Sequence, residues 1–331
     1  MLQIYEYKSN LTHRTVCFWK NLPKFVGMKT SIDFLPKRKQ ADLRELVALA
    51  REEIKDVVMI ILFGSYAKNK FVDCDVTHDF GITEFYISDY DLLFVTKRRL
   101  GGKESTVVSQ IREEFLKGKD EFQTSPQIIT ESIKLLNNEL SEGHCFYVDI
   151  VNEGILLYDS GEYTLETPRE LKYSEIKDKA HKYYERYYKA AYRFLEVTKM
   201  TASKDWYVEA SFVLHQSTEY LLKAIPLVYI LYRYKEHDLE FLLEKCKLHT
   251  LELARVFPRN TPEEKRLFEL LQRAYVEARY NDEFVVTKED IDALVPKIEL
   301  LRGIVEKVCK ERFYYYRQKD NESLDEKYST N

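Results

Sequence analysis

The sequence predicts an α+β protein in two parts: a small mixed sheet with its helices, then an all-α bundle. Three observations carry that expectation. Up to about residue 160, β-branched apolar runs alternate with segments of helical spacing. A polar stretch containing Gly161 and Pro168 follows. Beyond it the strand signal stops, while apolar residues keep recurring at steps of three and four. The 331 residues suit two domains of ordinary size.

Residues 1–27 show no clear period. Met28 leads into "MKTSIDFLPKRKQADLRELVALAREEI", which reads like a second beginning. The first 27 residues are therefore either an upstream extension or an arm packed on the fold. Leu43, Leu46, Val47, Ala50 and Ile54 predict a helix over 40–56. "DVVMIILF", which ends at Gly64, predicts a buried strand; "YDLLFVT" (90–96) predicts a second and "SPQIITE" a third. "ESIKLLNNELSEG" predicts a short helix ended by Gly143. "CFYVDIV" and "GILLYD" predict two further strands, separated by Asn152 and Glu153. The first domain is thus placed at 28–160 and the linker at 161–173.

The second domain is expected at 174–318. "SEIKDKAHKYYERYYKAAYRFLEVTK" predicts one long amphipathic helix. The next carries Tyr207, Ala210, Leu214, Ser217, Leu221, Ala224 and Val228 at three-four steps, and Pro226 should kink or end it. "HDLEFLLEKC" predicts a short helix. Thr261-Pro262-Glu263-Glu264 is a capping box with proline at the first helical position. Leu267, Leu270, Leu271, Ala274, Tyr275 and Ala278 line the helix behind it. Thr287 and Asp290 cap a last helix, which runs through Ile291, Leu294, Ile298, Leu301, Val305 and Val308. Residues 319–331 read as a solvated polar tail.

Composition narrows the function. The net charge of −4 argues against a general nucleic-acid coat and leaves local basic patches open. No apolar run reaches membrane-spanning length. Five scattered cysteines form no C-x-x-C, which speaks against a zinc ribbon or a disulfide framework. A reducing cytoplasm is the expected home. The 25 tyrosines are expected to pack helices with their tips polar.

The chemistry concentrates in "LFGSYAKNKFVDCDVTHDFGITEFYISDYDLLFV". Residues i and i+2 of a strand point the same way, so Asp89 and Asp91 aim two carboxylates at one spot. Such a pair suits Mg²⁺, which takes one or two carboxylates together with phosphates and waters. Gly64 allows backbone N–H groups close to a phosphate, and Ser65 adds a hydroxyl. Asp149, alone in the apolar run "FYVDIV", is the candidate third metal ligand and a helper in activating the attacking hydroxyl. Taken by itself, it also fits a solvent-facing strand end. Asp73, Asp75, Thr77, Asp79 and Glu84 fall at calcium-loop offsets, but His78 stands where glycine is needed. Residues 70–86 therefore read as an acidic insert that lids the pocket or shapes acceptor choice. "TKRRLGGK" (96–103) reads as a solvated basic turn rather than a triphosphate clamp.

The pattern "LFGSYAKN…SDYDLLFV…FYVDIV" resembles the nucleotidyltransferases of the polymerase-beta superfamily, matched at Gly64, Ser65, Asp89, Asp91 and Asp149. Two departures are visible. The 23 residues between Ser65 and Asp89 form a longer gap than that family usually shows, and Asn69 stands where it often has glycine. "EASFVLHQSTEYLLKA", "EHDLEFLLEKC" and "AYVEARYND" are similar in order to a HEPN domain. Residues 28–318 resemble the fused nucleotidyltransferase–HEPN proteins of bacteria. The resemblance implies Mg²⁺-dependent transfer of a nucleoside monophosphate, most often AMP from ATP, to a hydroxyl, with room for two ions. Acceptors in the wider group include aminoglycosides and protein tyrosines. In its two-component toxin–antitoxin version the transferase is the antitoxin that modifies its HEPN partner. A homodimer through the bundle is a further expectation.

Many HEPN domains are ribonucleases built on Arg-x(4–6)-His. Arg279 would need histidine at 284–286, where Phe284, Val285 and Val286 stand, and Arg233 reaches His237 with three residues between. Ribonuclease activity is therefore disfavoured. His215, Glu219 and Lys223 share one helix face, read as a polar stripe between helices or the border of a pocket. Arg279-Tyr280 reads as an interhelical anchor or a nucleotide or partner contact. The competing function is a non-catalytic regulator that binds nucleotide, protein or RNA.

Overall fold

The computed structural model describes residues 27–73, 75–79, 82–120 and 123–329, with side chains left out for 75–79, 82–86 and 323–329. Residues 1–26, and with them the choice between extension and arm, lie outside the described residues, as do the side chains of Asp75, Thr77, Asp79 and Glu84. The chain divides into two units between Glu170 and Leu171.

The first unit is a four-stranded mixed sheet with helices. Helix α1 (Lys37–Glu53) buries Leu43, Leu46 and Ala50. Strand β1 (Val57–Phe63) runs directly into the one-turn helix α2 (Gly64–Ala67). A hairpin of β2 (Asp75–Asp79) and β3 (Ile82–Tyr86) follows, where the sequence suggested an acidic loop. Then come β4 (Tyr90–Thr96), α3 (Glu104–Leu116), β5 (Pro126–Ser132), α4 (Ile133–Ser141), α5 (Cys145–Glu153) and β6 (Ile155–Asp159). The order is β5-β4-β1-β6. β1 is antiparallel to β4 and to β6, whereas β4 and β5 are parallel.

The two central strands are apolar on both faces because both are covered. Ile60, Leu62, Leu92, Phe94 and Ile128 share one core with Leu43, Leu46 and Ala50 of α1 and with Ile111 and Phe115 of α3. Ile61, Phe63, Asp91 and Leu93 alternate to the opposite face. There Phe63 meets Phe146 of α5 edge to face at 5.9 Å.

One expected strand is a helix. "CFYVDIV" forms most of α5, burying Cys145, Tyr147, Val148, Ile150 and Val151. A short apolar run bears no period that separates strand from buried helix, so packing decides. The central strands already have neighbours on both edges, and the run covers the second face instead. Gly154 closes α5 against β1: a Cβ there would lie 2.3 Å from the Ile150 carbonyl oxygen and 3.0 Å from that of Leu62.

The second unit is helical: α6 (Tyr173–Ala202), α7 (Tyr207–Ile230), α8 (Leu239–Lys247), α9 (Pro262–Tyr280) and α10 (Lys288–Ser329). The Thr261 capping box forms as its sequence predicts. Pro226 does not end α7. Proline deprives the carbonyl four residues back of its helical donor, and the Leu222 carbonyl accepts the Cys246 thiol at 3.2 Å instead. The helix ends at Leu231, which takes φ 55°. The expected polar tail is helical through Ser329, as its straight-chain Glu and Lys residues permit. Among the described residues no helix is long and apolar enough to cross a membrane.

Gly154→Ala tests the α5–β1 closure. It should cost about 2–3 kcal/mol, because two of the three obstructing atoms are backbone and the third is Ile61 Cγ2 at 2.9 Å, read as an earlier urea midpoint for the sheet unit.

Candidate functional site

The site begins where β1 stops. Gly64 has φ +72°, a conformation only glycine adopts without strain. A Cβ on it would sit 2.2 Å from Asp91 Oδ2. The Asp91 carboxyl therefore rests against the bare Cα of Gly64, with β4 held in register by the pairing of Phe63 with Asp91. Ser65 follows in the first turn of α2, and its carbonyl accepts the Lys70 N–H at 2.9 Å. Gly64, Ser65, Asp89 and Asp91 are all half-buried. Asn69 takes φ 53°, which asparagine tolerates better than most side chains. Its departure from glycine thus leaves the turn intact.

Tyr66 and Tyr90 belong to the core on the back of the sheet, while Asp91 alternates to the front. Both tyrosines are fully buried, with rings 4.6 Å apart. Tyr90 donates its hydroxyl to Asp42 Oδ2 at 2.8 Å, and Gln123 donates to the same oxygen at 2.9 Å. The Tyr66 hydroxyl shares a hydrogen bond with Thr124 Oγ1 at 3.2 Å. Lys39 donates to Thr124 Oγ1 at 2.6 Å and lies within 6 Å of both ring centres. Burial, and then the Asp42 carboxylate, push the Tyr90 phenol far up, so it stays a donor. This network fixes the Gly-Ser turn to the acid-bearing strand from behind. The sequence marked none of it, although tyrosines alternating with site residues were the available signal. Asp73, from the rival acid pair, is accounted for by its ion pair with Lys39 at 3.1 Å.

Asp149 sits on α5. Phe146, three residues earlier, packs on Phe63, and Glu153, four residues later, pairs with Lys68 just after the turn. One side of α5 thus borders the β1–α2 junction, and Asp149 lies near that side. Among the described residues, however, no three His, Cys, Asp or Glu side chains form a group able to hold a metal. Asp89, Asp91 and Asp149 thus do not count together as a three-acid metal group among the described residues. The basic turn after Thr96 leaves β4 at the end opposite Asp91, and Lys97 pairs there with Glu162 at 2.8 Å.

The chemistry of the donor set suits a Mg²⁺ ion: the Asp91 carboxylate, with Asp89 two residues before it, beside a glycine cradle that a Cβ would fill. It does not supply the third carboxylate that the sequence led one to expect.

The helical unit holds a second charged cluster. Glu219 Oε1 accepts from Lys223 at 2.9 Å, and its Oε2 bonds His237 Nδ1 at 2.9 Å. Burial alone would raise the Glu219 pKa, but the Lys223 and His237 hydrogen bonds outweigh it and the net shift is downward. The His237 ring stacks on Tyr275 at 4.4 Å. His215 is fully buried against the same ring, its Nε2 without a hydrogen bond. Arg279 lies over the Phe212 and Tyr275 rings, which ties α9 to α7. His215, Glu219 and Lys223 are therefore an internal polar stripe, joined by a histidine from the loop before α8.

Residues 184–308 match the family model of the HEPN domain. This stretch runs from within α6 to within α10, so the helical unit carries the HEPN match. No curated protein matches the chain.

Two predictions follow from this geometry. Gly64→Ala should cost about 1–2 kcal/mol in backbone strain and displace the Asp91 carboxyl, visible in the crystal structure of the variant. In the helical unit, burial pushes His215 down to about 4 and His249 to about 3. The unfolded chain then binds protons first, so stability is complete above about pH 6.5 and declines towards pH 4. His215 alone should account for about 3 kcal/mol of that decline. Thermal melts between pH 7 and 4.5 should show it, with a shallower slope in His215→Gln.

Proposed function

We propose that residues 28–160 are a Mg²⁺-dependent nucleotidyltransferase that moves a nucleoside monophosphate, AMP from ATP, to a hydroxyl on a small molecule or protein. The observation that carries this reading is the Asp91 carboxyl seated on Gly64, one residue from Ser65. That contact supports the reading by putting one carboxylate of the acid pair against the turn that would hold phosphate. The magnesium ion would be held by Asp89 and Asp91, and when bound it neutralises charge on the phosphate oxygens.

The protein's own groups do the rest. Backbone N–H groups at the Gly64 turn and the Ser65 hydroxyl hold phosphate oxygens. The tyrosine network keeps the two acids and the turn from drifting apart, so that the acceptor oxygen meets the α-phosphorus in line. The acceptor O–P bond forms, the bond between the α- and β-phosphates breaks, and pyrophosphate leaves. The hydroxyl proton passes to a carboxylate oxygen of the acid pair or to water. Cytoplasmic residence belongs to the same reading and is supported by free buried thiols at Cys145, Cys246 and Cys309.

The test is transfer of label from α-³²P-ATP with Mg²⁺ to aminoglycosides and to protein tyrosines, the chain's own included. Asp89→Asn and Asp91→Asn should each lower transfer by on the order of a hundredfold or more. Triphosphate binding with no transfer to any acceptor would favour the non-catalytic regulator instead.

A further inference from the structure

The strand beside β4 supplies a different third group. β5 is parallel to β4, and the register pairs Asp91 with Gln127. Register partners in adjacent strands place their side chains on the same face. Asp91 is thus flanked by Phe63 on one side and Gln127 on the other. Neither neighbour is an acid, so the sheet itself offers no third carboxylate at this level.

Gln127 is oriented by Arg112 of α3, whose Nη2 donates to Gln127 Oε1 at 3.4 Å. The amide oxygen, the only atom of Gln127 that could ligate a cation, is committed to a guanidinium. Its Nε2 hydrogens have no hydrogen bond among the described residues. Arg112 is half-buried, its Nε is buried without a hydrogen-bond partner, and no carboxylate among the described residues pairs with it. A guanidinium bonded to an amide whose register partner is Asp91, both with donors to spare, form an arrangement for an oxyanion.

We propose that Arg112 and Gln127 are the phosphate-holding side of this centre, and that Gln127 takes the third position so that the centre loads a single divalent ion. The inference rests on the nucleotidyltransferase reading. Asp89 and Asp91 supply the negative side that a cation needs. Gln127 Nε2 and Arg112 supply the positive side that a triphosphate oxygen needs. The acid pair and the donor pair meet at the β4–β5 step, where Asp91 and Gln127 are neighbours.

The test uses the full chain, Mn²⁺ as the probe ion and α,β-methylene-ATP as the probe nucleotide. Electron paramagnetic resonance titration should give one Mn²⁺ per chain. Gln127→Asp should raise that to two. Arg112→Met and Gln127→Ala should each weaken the nucleotide about ten- to hundredfold while the ratio stays at one. Gln127→Asn, which keeps the amide, and Arg112→Lys, which keeps the charge, should recover part of the loss and check that the fold survives. Two Mn²⁺ ions in the unaltered chain, removed by Asp91→Asn, would overturn the inference and leave the transferase standing. Nucleotide affinity within twofold in both Arg112→Met and Gln127→Ala would also overturn it. No Mn²⁺ binding at all, with nucleotide present, would sink both readings together.

Discussion

Residue 64 lacks a Cβ, and so the Asp91 carboxyl can lie directly on the backbone at the end of β1. The rest of the site follows from that contact. It sets how close an acid can come to the turn that would hold a phosphate. It also fixes what the turn must be, since the positive φ of Gly64 is one that only glycine adopts without strain. A bulkier residue would strain the backbone and push the carboxyl aside at once.

Two acids held close together repel, and a loose strand would let them separate. The tyrosines on the reverse side prevent this. Tyr90 lies between the two acids and is tied to Asp42, while Tyr66 follows Ser65 and is tied to Thr124. Their rings touch, with Lys39 close to both. The same buried polar groups that would be costly unpaired are here paired throughout, which converts their burial into rigidity at the front. Arg38 extends the network to Gln123 at 2.9 Å, linking α1 to the segment that leads into β5.

Much of this was legible in the sequence. The strands at "VVMIILF" and "YDLLFVT" could be read because a β-branched run bounded by turn residues has few other uses, and Asp89 and Asp91 announced themselves by alternation. What was not legible depends on which surfaces remain to be covered. "CFYVDIV" carries no period, and its helical state comes from the uncovered face of the sheet. Pro226 looked like a stop because its sequence does not show that a thiol from α8 will satisfy the orphaned carbonyl. Gln127 was invisible for a related reason. Its place beside Asp91 is a matter of parallel register across 36 positions of chain, which no local pattern encodes.

The two units treat charge in opposite ways, and this bears on where chemistry resides. In the helical unit Glu219 spends one oxygen on Lys223 and the other on His237, and both Glu219 and Lys223 are out of reach of solvent. Removing one partner of such a buried pair would strand a charge. In the sheet unit the acids at 89 and 91 stay half-exposed at a strand end, beside donors on Arg112 and Gln127 that the fold has not used up. The buried Glu219–Lys223 pair thus belongs to the packing of the HEPN-matching unit, and the acids of the sheet unit lie at a strand end beside the Gly64 turn.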